Sequence, residues 1–331
     1  LGTLWGPSNL WRMAVQSAGR EARPQRVASV GEDGINPAIS RGPSTRLVYA
    51  RHQTDVNIWR RDLSVAGKGQ PAVKFIASSR NDSAPRYSPD GKRIAFHSDR
   101  SGSMQLWVAN EDGSNAMPIT SQPALLFYAM PQWSPDGRHI LFLATVGEEL
   151  RSFLVRATGG EPIPPSVNIS GWSRDGRWIY YRSSMGQEGQ VWKRATAGGE
   201  PMQLTQKGGF HFLCESPDGK FAYLWKGTSP PSLWRVPADG GEVTEILHAI
   251  SHPSNVCVTD QGIYFMPFRN EAGGGSSVIQ LLRPATGKVE IVAAIDKDPW
   301  VGLTVSPDGR WLLYSQNDHV TCDLMLVENF R

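Results

Sequence analysis

The tetrapeptide Ser88-Pro89-Asp90-Gly91 recurs along the chain, and its recurrence decides the fold. The copies are Ser134-Pro135-Asp136-Gly137, Ser216-Pro217-Asp218-Gly219, Ser306-Pro307-Asp308-Gly309 and the degenerate Ser173-Arg174-Asp175-Gly176. Together with the divergent Gly262, the glycines of these turns lie about 39 to 47 residues apart. A period of about 40 to 50 residues is typical of four-stranded propeller blades.

The residues around the first tetrapeptide supply the strands that this period requires. Period-two alternation of apolar and polar residues predicts short strands at 84–88, 94–98, 105–109 and 117–120. Each of the first three is followed by a Gly-containing turn, and in the first of these turns Pro presets φ and Gly accepts a positive φ. Four short strands joined by tight turns form an antiparallel meander.

A single small sheet of this kind cannot bury both of its faces, whereas radial stacking buries them against neighbouring sheets. The sequence therefore predicts an all-β fold, a seven-bladed β-propeller of four-stranded antiparallel blades in which 1–331 form a single domain. The expected blades are about 31–80, 81–124, 125–166, 167–209, 210–250, 251–295, and a closing blade from 296–331 plus 8–30. Because the ends contribute one strand too many, eight blades with one incomplete are the alternative.

Composition limits the possible functions. The 331 residues include 34 Gly, 24 Pro and 12 Trp, and the net charge is only +3. Basic and acidic residues are interspersed, so we expect no direct contact with nucleic acid, which needs a clustered basic surface. No apolar run approaches the roughly 18 residues of a membrane span. Without a starting Met or a signal peptide, we expect a piece of a larger protein or a processed form.

The residues whose side chains could catalyse a reaction or bind a metal do not form a recognisable motif. There is no Gly-x-Ser-x-Gly, no phosphate-binding loop and no His-Glu-x-x-His. We therefore predict no catalytic residues, no metal and no cofactor. Of the three cysteines, Cys214 and Cys257 occupy the same position in neighbouring repeats. They are either two small buried residues or a cross-linked pair, and the sequence leaves both open.

The repeat resembles the TolB-type, or PD, β-propeller repeat, a relative of the WD repeat. The matching residues are Pro85, Ser88-Pro89-Asp90-Gly91, Ile94-Ala95-Phe96, Ser98-Asp99-Arg100, Gly102, Gln105-Leu106-Trp107-Val108 and Asp112-Gly113-Ser114. Similar propellers occur in periplasmic TolB and as the C-terminal halves of bacterial membrane-anchored transcriptional regulators or Ser/Thr kinases. They also gate prolyl-oligopeptidase-like peptidases.

The resemblance implies a non-enzymatic binding or sensor propeller of a larger bacterial envelope or signalling protein, in the periplasm or elsewhere outside the cytoplasm. A protein or peptide partner is expected, and a small molecule is possible. The alternative is the gating propeller of a peptidase whose hydrolase domain is absent here. A propeller lyase is a third hypothesis, which would require several histidines to converge on a metal.

The candidate binding residues come from the loops that lead into each innermost strand and surround one mouth of a propeller's channel. These loops differ between the repeats, as the binding of an asymmetric ligand requires. The expected residues are Asn36, Asp82, Tyr128, Asn168, His211, Asn255 and Trp300. Asp99 and Arg100 belong to the repeated motif, so we expect them to shape their turn rather than contact a ligand.

Overall fold

The computed structural model describes residues 10–12, 25–30, 34–40, 45–64, 71–121, 126–146, 149–183, 189–269 and 277–328. The chain divides into two compact units. Unit 1 comprises Leu1–Asp55 and Asn317–Arg331, and unit 2 comprises Val56–Gln316. In the described part, strands dominate both units.

The N-terminal part of the described chain contains four short strands and one long one. They are β1 (Trp11–Arg12), β2 (Gln25–Arg26), β3 (Gly34–Ile39), β4 (Leu47–Asp62) and β5 (Val73–Ile76). In unit 1, β1 pairs with β2, and β3 pairs antiparallel with the first part of β4. A small core of Val27, Val30, Leu47 and Tyr49 stabilises this unit.

Five sheets of unit 2 follow one another along the chain as antiparallel meanders. The first contains β6 (Asp82–Tyr87), β7 (Arg93–Ser98), β8 (Gln105–Asn110) and β9 (Met117–Pro118), and the second contains β10 (Leu126–Trp133), β11 (His139–Val146) and β12 (Glu149–Arg156). The third contains β13 (Ile169–Trp172), β14 (Trp178–Arg182), β15 (Val191–Ala195) and β16 (Met202–Gln203). The fourth and fifth contain β17 (Phe210–Glu215), β18 (Phe221–Lys226), β19 (Ser232–Pro237), β20 (Thr244–Leu247), β21 (Val256–Thr259), β22 (Gly262–Phe265), β23 (Ser277–Arg283) and β24 (Lys288–Ile295).

A further sheet combines strands from both ends of the chain. It contains β25 (Pro299–Val305) and β26 (Trp311–Val327), and β26 lies beside β4. In unit 2, β5 pairs with the last part of β4, and the Leu63 N–H donates to the Arg310 carbonyl at 2.7 Å. The sheet therefore joins the C-terminal strands of unit 2 to its N-terminal strands.

The sheets of unit 2 form a closed ring through their first strands. β6 packs between β25 and β10, β13 packs against β17, and β25 also packs against β21. Leu213 of β17 and Val256 of β21 share one core cluster. Because β25 touches both the first and the fifth sheet, the described part of unit 2 is a β-propeller.

The hydrophobic cores lie between neighbouring sheets. Tyr180 of the third sheet stacks on Phe212 of the fourth, with ring centroids 4.0 Å apart. The aromatic residues that precede the turn serines take part in this packing: Trp133 is 9% exposed, and its indole N–H donates to the Arg86 carbonyl of the preceding sheet at 3.1 Å. The expectation that small sheets gain their cores from their neighbours is confirmed.

The repeated tetrapeptide forms the same hydrogen-bonded turn in each copy. In the second copy, the Ser134 hydroxyl donates to Asp136 Oδ1 at 2.6 Å and accepts the His139 N–H at 2.9 Å. Asp136 Oδ1 also accepts the Arg138 N–H at 3.0 Å. The same bonds recur in the turns that begin at Ser88, Ser173, Ser216 and Ser306.

These bonds lower the pKa of the turn carboxylates. The hydroxyl of Ser173, the Arg177 N–H and the Arg177 side chain together lower the pKa of Asp175 to about 2. The degenerate copy has Arg174 in place of Pro and keeps the complete network. Ser, Asp and Gly are therefore sufficient for the turn. At the divergent copy the connection is shorter, because Thr259 pairs directly with Gly262 across a two-residue hairpin.

The count of seven blades is not confirmed. The predicted blade 31–80 requires two separate strands between 47 and 59, but β4 runs unbroken from Leu47 to Asp62. Likewise, β26 is one strand where the closing blade requires two. Neither segment contains a Gly or Pro that would reverse the chain.

As a result, strands assigned to two predicted blades share one sheet, and six sheets surround the channel in the described part of unit 2. β26 lies beside β4, and the described strands β1 and β2 of the segment 8–30 pair with each other. The bounds of the blades stay predictions.

Replacement of Gly137 by Val tests the turn directly. Gly137 has φ +67°, which a β-branched residue resists. We expect Gly137→Val to lower the free energy of unfolding by about 1–2 kcal/mol or more. Gly137→Asn is the matched control, since Asn tolerates this backbone region and should retain most of the stability. Urea unfolding followed by tryptophan fluorescence measures both, and equal stability of the Val variant and the parent chain would refute the turn assignment.

Candidate functional site: the central cavity

One position in each repeat of unit 2 faces the channel. It lies two residues before the turn Ser, or before Thr259 in the fifth sheet, and thus near the end of the first strand of each sheet. Its six residues are named here the channel ring: Arg86, Gln132, Gly171, Cys214, Cys257 and Thr304. Arg86 Nη1 donates to the carbonyl of Leu303, the residue before Thr304 on the neighbouring β25, at 3.4 Å.

The channel ring borders a cavity of about 570 Å³, named here the central cavity. Five of the six ring residues line it, together with the aromatic side chains Tyr87, Trp133 and Trp172 and with residues of the repeated turns. This volume is within the 300–1,000 Å³ range of ligand pockets. The cavity therefore opens at the end of the strands that carries the turns.

Gly171 makes the channel ring asymmetric. A Cβ atom at this position would lie 2.6 Å from the ring of Phe212 and 2.7 Å from Gln132 Oε1. Neighbouring side chains thus occupy the space that a side chain would need. The third sheet consequently contributes backbone to the ring, while the other five sheets contribute functional groups.

Arg86 is the charged member of the channel ring. Its guanidinium acts on the thiols of both Cys214 and Cys257, which come from the fourth and fifth sheets, whereas Arg86 belongs to the first. A side chain that reaches these distant sheets must extend into the channel. The ring thus places positive charge inside the central cavity.

The two thiols of the ring are neutral at physiological pH. Burial raises the pKa of Cys214 to about 12, against the opposing effect of Arg86. Burial also raises the pKa of Cys257, and Arg86 and Thr304 offset part of that rise. Both cysteines are free thiols, and no disulfide links them in the structure.

The carboxylates that line the central cavity belong to its outer part and are engaged by other groups. Glu215 accepts hydrogen bonds from the Tyr180 hydroxyl at 2.7 Å and from the Arg174 N–H at 2.8 Å. Asp308 accepts from its turn serine and from the Arg310 N–H at 3.0 Å. Asp260, 80% exposed, lies 4.0 Å from the Arg174 side chain. The mouth of the cavity therefore carries mainly negative charge.

The loop residues predicted in unit 2 lie at or near the start of the first strand of each sheet, away from the repeated turns. None of the seven is among the residues that line the central cavity. Asn36 belongs to unit 1, and the side chain of Tyr128 lies outside the described residues. Asn168 is exposed, and its side-chain oxygen accepts the Ser152 N–H at 2.9 Å.

Asp82 and Asn255 have clear structural roles. The fully buried carboxylate of Asp82 accepts a hydrogen bond from Arg100 at 2.7 Å, and burial raises its pKa against the effects of Ser98 and Arg100. The side-chain oxygen of Asn255 accepts the Gly302 N–H at 2.7 Å, which joins the fifth sheet to β25. Arg100 thus acts within its own sheet, in agreement with the structural role expected for it.

His211 and Trp300 are half-buried. The imidazole of His211 stacks on Trp225 with ring centroids 4.2 Å apart. Burial, assisted by Arg182, lowers the pKa of His211 to about 4. This histidine is therefore neutral at physiological pH.

The sequence contained the signal for the channel ring, although the reasoning from loops missed it. In every copy the residue directly before the turn serine is large or packs between sheets. The residue two positions before the turn serine differs between the repeats: in chain order it is Arg, Gln, Gly, Cys, Cys and Thr. A position that varies within an otherwise regular repeat is the expected place for ligand contacts.

Two further observations concern the described residues alone. No group of three or more His, Cys, Asp and Glu side chains is placed to hold a metal ion in that part of the chain. Its helical segments include none with the length and apolar character to cross a membrane.

Comparison with known proteins agrees with this architecture. Residues 8–162 match the PD40 family, described as the TolB beta propeller domain. A protein of Agrobacterium tumefaciens described as a candidate TolB has the same fold, with a TM-score of 0.63 at 20% identity over 81% of this chain and 99% of that one. The fold is a β-propeller. The match to the TolB beta propeller domain extends over residues 8–162, somewhat less than half of the chain.

Two curated relatives share shorter segments. An uncharacterized peptidase of Bacillus subtilis, YuxL, is 33% identical over 112 residues, which are 31% of this chain and 16% of the peptidase. The Tol-Pal system protein TolB of Anaeromyxobacter dehalogenans is 43% identical over 54 residues, which are 16% of this chain and 12% of that protein. The chain thus matches only a small part of either relative.

The thiols of the ring should differ sharply from Cys322 in reactivity. Cys322 is exposed, whereas Cys214 is half-buried, with a pKa of about 12 and little thiolate at neutral pH. With iodoacetamide at pH 7.5, we expect rapid alkylation of Cys322 and slow alkylation of Cys214 and Cys257. Peptide mass spectrometry after timed quenching measures the three rates, and a denatured sample is the control. Equal rates in the native protein would contradict the buried positions.

Stability should depend on pH through His211. In the unfolded chain a histidine has a pKa near 6.5, but in the folded protein that of His211 is about 4. The unfolded state therefore binds an extra proton as the pH falls from 6.5 to 4, and stability decreases over this range. His97, whose pKa burial lowers to about 4, contributes in the same direction.

We expect the melting temperature of the parent chain to fall between pH 6.5 and 4, and that of His211→Gln to fall less steeply. The contribution of His97 remains in this variant, so the slope should decrease without vanishing. Scanning calorimetry at half-unit pH intervals measures it. Parallel curves for the two proteins would show that His211 does not titrate as the structure requires.

Proposed function

We propose that this chain is a non-enzymatic binding or sensor propeller of a larger bacterial envelope or signalling protein. The observation that supports this most is the central cavity, which all of the sheets around the channel border and which combines aromatic walls with a few polar groups. A concave pocket with aromatic walls and a few polar groups is the usual form of a ligand-binding site.

The ligand that we propose is a protein segment or peptide, with a small molecule as the other possibility. The TolB-type repeats and the segment shared with a Tol-Pal system protein support a partner-binding role. By the same resemblance, we propose a periplasmic or other extracytoplasmic location. Direct contact with nucleic acid is not part of this proposal, because the sequence lacks a clustered basic surface.

Some of the loop residues predicted from the sequence remain a second proposed contact surface. Asn168, His211 and Trp300 are exposed or half-buried and remain candidates for contact with a partner, and Asn36 and Tyr128 stay predictions. Asp82 and Asn255 are buried and engaged in the fold. We therefore assign the first contact to the central cavity.

A selection experiment tests the proposed binding role. Random dodecapeptides displayed on phage are selected on the immobilised chain, and the affinities of the selected peptides are measured by calorimetry. We expect micromolar binders whose affinity falls at least tenfold when Cys214→Phe or Gln132→Phe fills the cavity. Cys322→Phe, at an exposed position of unit 1, is the matched control and should leave the affinity unchanged.

Circular dichroism and melting curves establish that the cavity-filled variants fold. The proposal fails if selection yields no specific peptide, or if folded variants of both cavity positions bind as tightly as the parent chain.

The second candidate is the gating propeller of a prolyl-oligopeptidase-like peptidase. The segment that is 33% identical to an uncharacterized peptidase favours it specifically. The full-length gene distinguishes the two proposals. An α/β-hydrolase domain encoded beside this segment favours the gating role, and a winged-helix or kinase domain favours the sensor.

A further inference from the structure

We propose that an exposed apolar sheet face of unit 1 is an interface between two copies of this chain, which pack face to face about a two-fold axis. This face, named here the outer face, is formed by side chains of β3, β4 and the C-terminal part of β26. Its residues are Ala38, Val48, Ala50, Val320, Cys322, Leu324 and Leu326. The inference is independent of the proposed binding role, because the outer face belongs to unit 1 and the central cavity to unit 2.

Strand alternation separates the two faces of the sheet in unit 1. Leu47 of β4 lies in the small core of this unit, and Met325 and Val327 of β26 pack against the same core. Because successive side chains of a strand point to opposite faces, the side chains between these residues belong to the outer face. Ala38 of β3 is paired with Val48 and therefore lies on the outer face as well.

The outer face is both apolar and exposed. Leu324 is 81% exposed, the largest value among the large apolar side chains of the described residues, and Val320 and Leu326 are 51% and 53% exposed. Cys322 is exposed between them. Single exposed apolar side chains are ordinary on a protein surface, whereas a contiguous apolar patch marks an interaction site.

The absence of charge on the outer face restricts its partner. None of its seven residues is charged. A charged surface that covered this face would lose hydration without gaining an ion pair, so the fitting partner presents an apolar and uncharged face of its own. A second copy of the chain presents such a face, and a two-fold axis lets each copy cover the other with the same residues.

The charged groups at the two ends of the outer face are complementary under this symmetry. Arg46 and Glu328 form an ion pair at one end, with 3.5 Å between Nη2 and Oε1, and Asp318 lies at the other end of the same stretch of β26. A two-fold axis that crosses β26 near residue 323 brings Arg46 of one copy to the Asp318 end of the other. These residues also have contacts within their own chain, so this attraction sets the orientation of the copies more than their affinity.

Cys322 lies beside the proposed axis and reports on the arrangement. Sheets that pack face to face lie about 10 Å apart, whereas the Cα atoms of a disulfide are only about 4.4–6.8 Å apart. The two copies of Cys322 should therefore face each other without forming a disulfide, within reach of a bismaleimide linker. Because few residues take part, we expect a weak dimer with a dissociation constant in the micromolar range or above.

Sedimentation velocity of the full chain, from low micromolar to several hundred micromolar concentration, tests the inference. We expect a reversible equilibrium between monomer and dimer. Leu324→Glu places a charge on the outer face and should weaken dimerisation about tenfold or more. Ile291→Glu is the matched control, because Ile291 is an apolar side chain that is 67% exposed in unit 2. It should leave the dimer unchanged.

Two measurements on Cys322 assign the dimer to this face. A bismaleimide should link two chains at concentrations where dimers form, and Cys322→Ser should abolish the link. Alkylation of Cys322 by iodoacetamide should be rapid in dilute solution, where the chain is a monomer, and should slow as the concentration rises. Circular dichroism establishes that the variants fold, and Leu326→Lys replaces Leu324→Glu if the latter does not.

Several results would overturn the inference. It fails if the parent chain remains monomeric at several hundred micromolar, or if it forms open-ended oligomers in place of dimers. It also fails if the folded Leu324→Glu and Leu326→Lys variants dimerise as tightly as the parent chain. A dimer in which Cys322 is neither cross-linked nor protected from alkylation would place the interface elsewhere. None of these results bears on peptide binding by the central cavity, which is measured separately.

Discussion

Each sheet of unit 2 has two apolar faces, and only the neighbouring sheets can cover both of them. The stack of Tyr180 on Phe212 shows the consequence, since one ring comes from the third sheet and the other from the fourth. A row of such sheets would leave its first and last faces exposed to water. Closure through β25 removes both exposed faces, so the stability of every sheet depends on the closed ring.

The repeated turn makes this arrangement possible because it satisfies its own polar groups. The serine of each copy is nearly buried, and its hydroxyl bonds both to the carboxylate of the turn and to the following strand. No donor from a neighbouring sheet is required for these bonds. The same turn can therefore be used beside different neighbours, and Arg174 can replace proline without loss of the network.

The sequence predicted the repeated unit better than the closure of the ring. The meander of 82–120 follows from local alternation and from glycines at the turns, and the structure contains its four strands. The closing sheet instead depends on pairing between β4 and β26, which lie far apart in the sequence. Local patterns contain no information on such a partner. The absence of Gly and Pro from both segments was nevertheless a local sign that neither would fold back on itself.

The central cavity was not among the contact positions predicted from the sequence, for a different physical reason. Loops were expected to carry the ligand contacts because they vary, but Asp82 and Asn255 vary between repeats while they stabilise the fold. Sequence variation between repeats therefore indicates a binding position only where that position has the same structural role in every repeat. The channel ring meets that condition, since its residues occupy one position of one strand in every sheet.

A ring of equivalent positions also explains how a repetitive fold can bind an asymmetric ligand. If all six residues were alike, the cavity would present the same surface in six orientations. Arg86 in the first sheet and Gly171 in the third break that equivalence, one by charge and the other by the absence of a side chain. Because the repeated turns satisfy their polar groups within each sheet, the residue at the ring position can differ from one sheet to the next. The proposed binding role therefore depends on positions where the side chains of the repeats differ but their backbones do not.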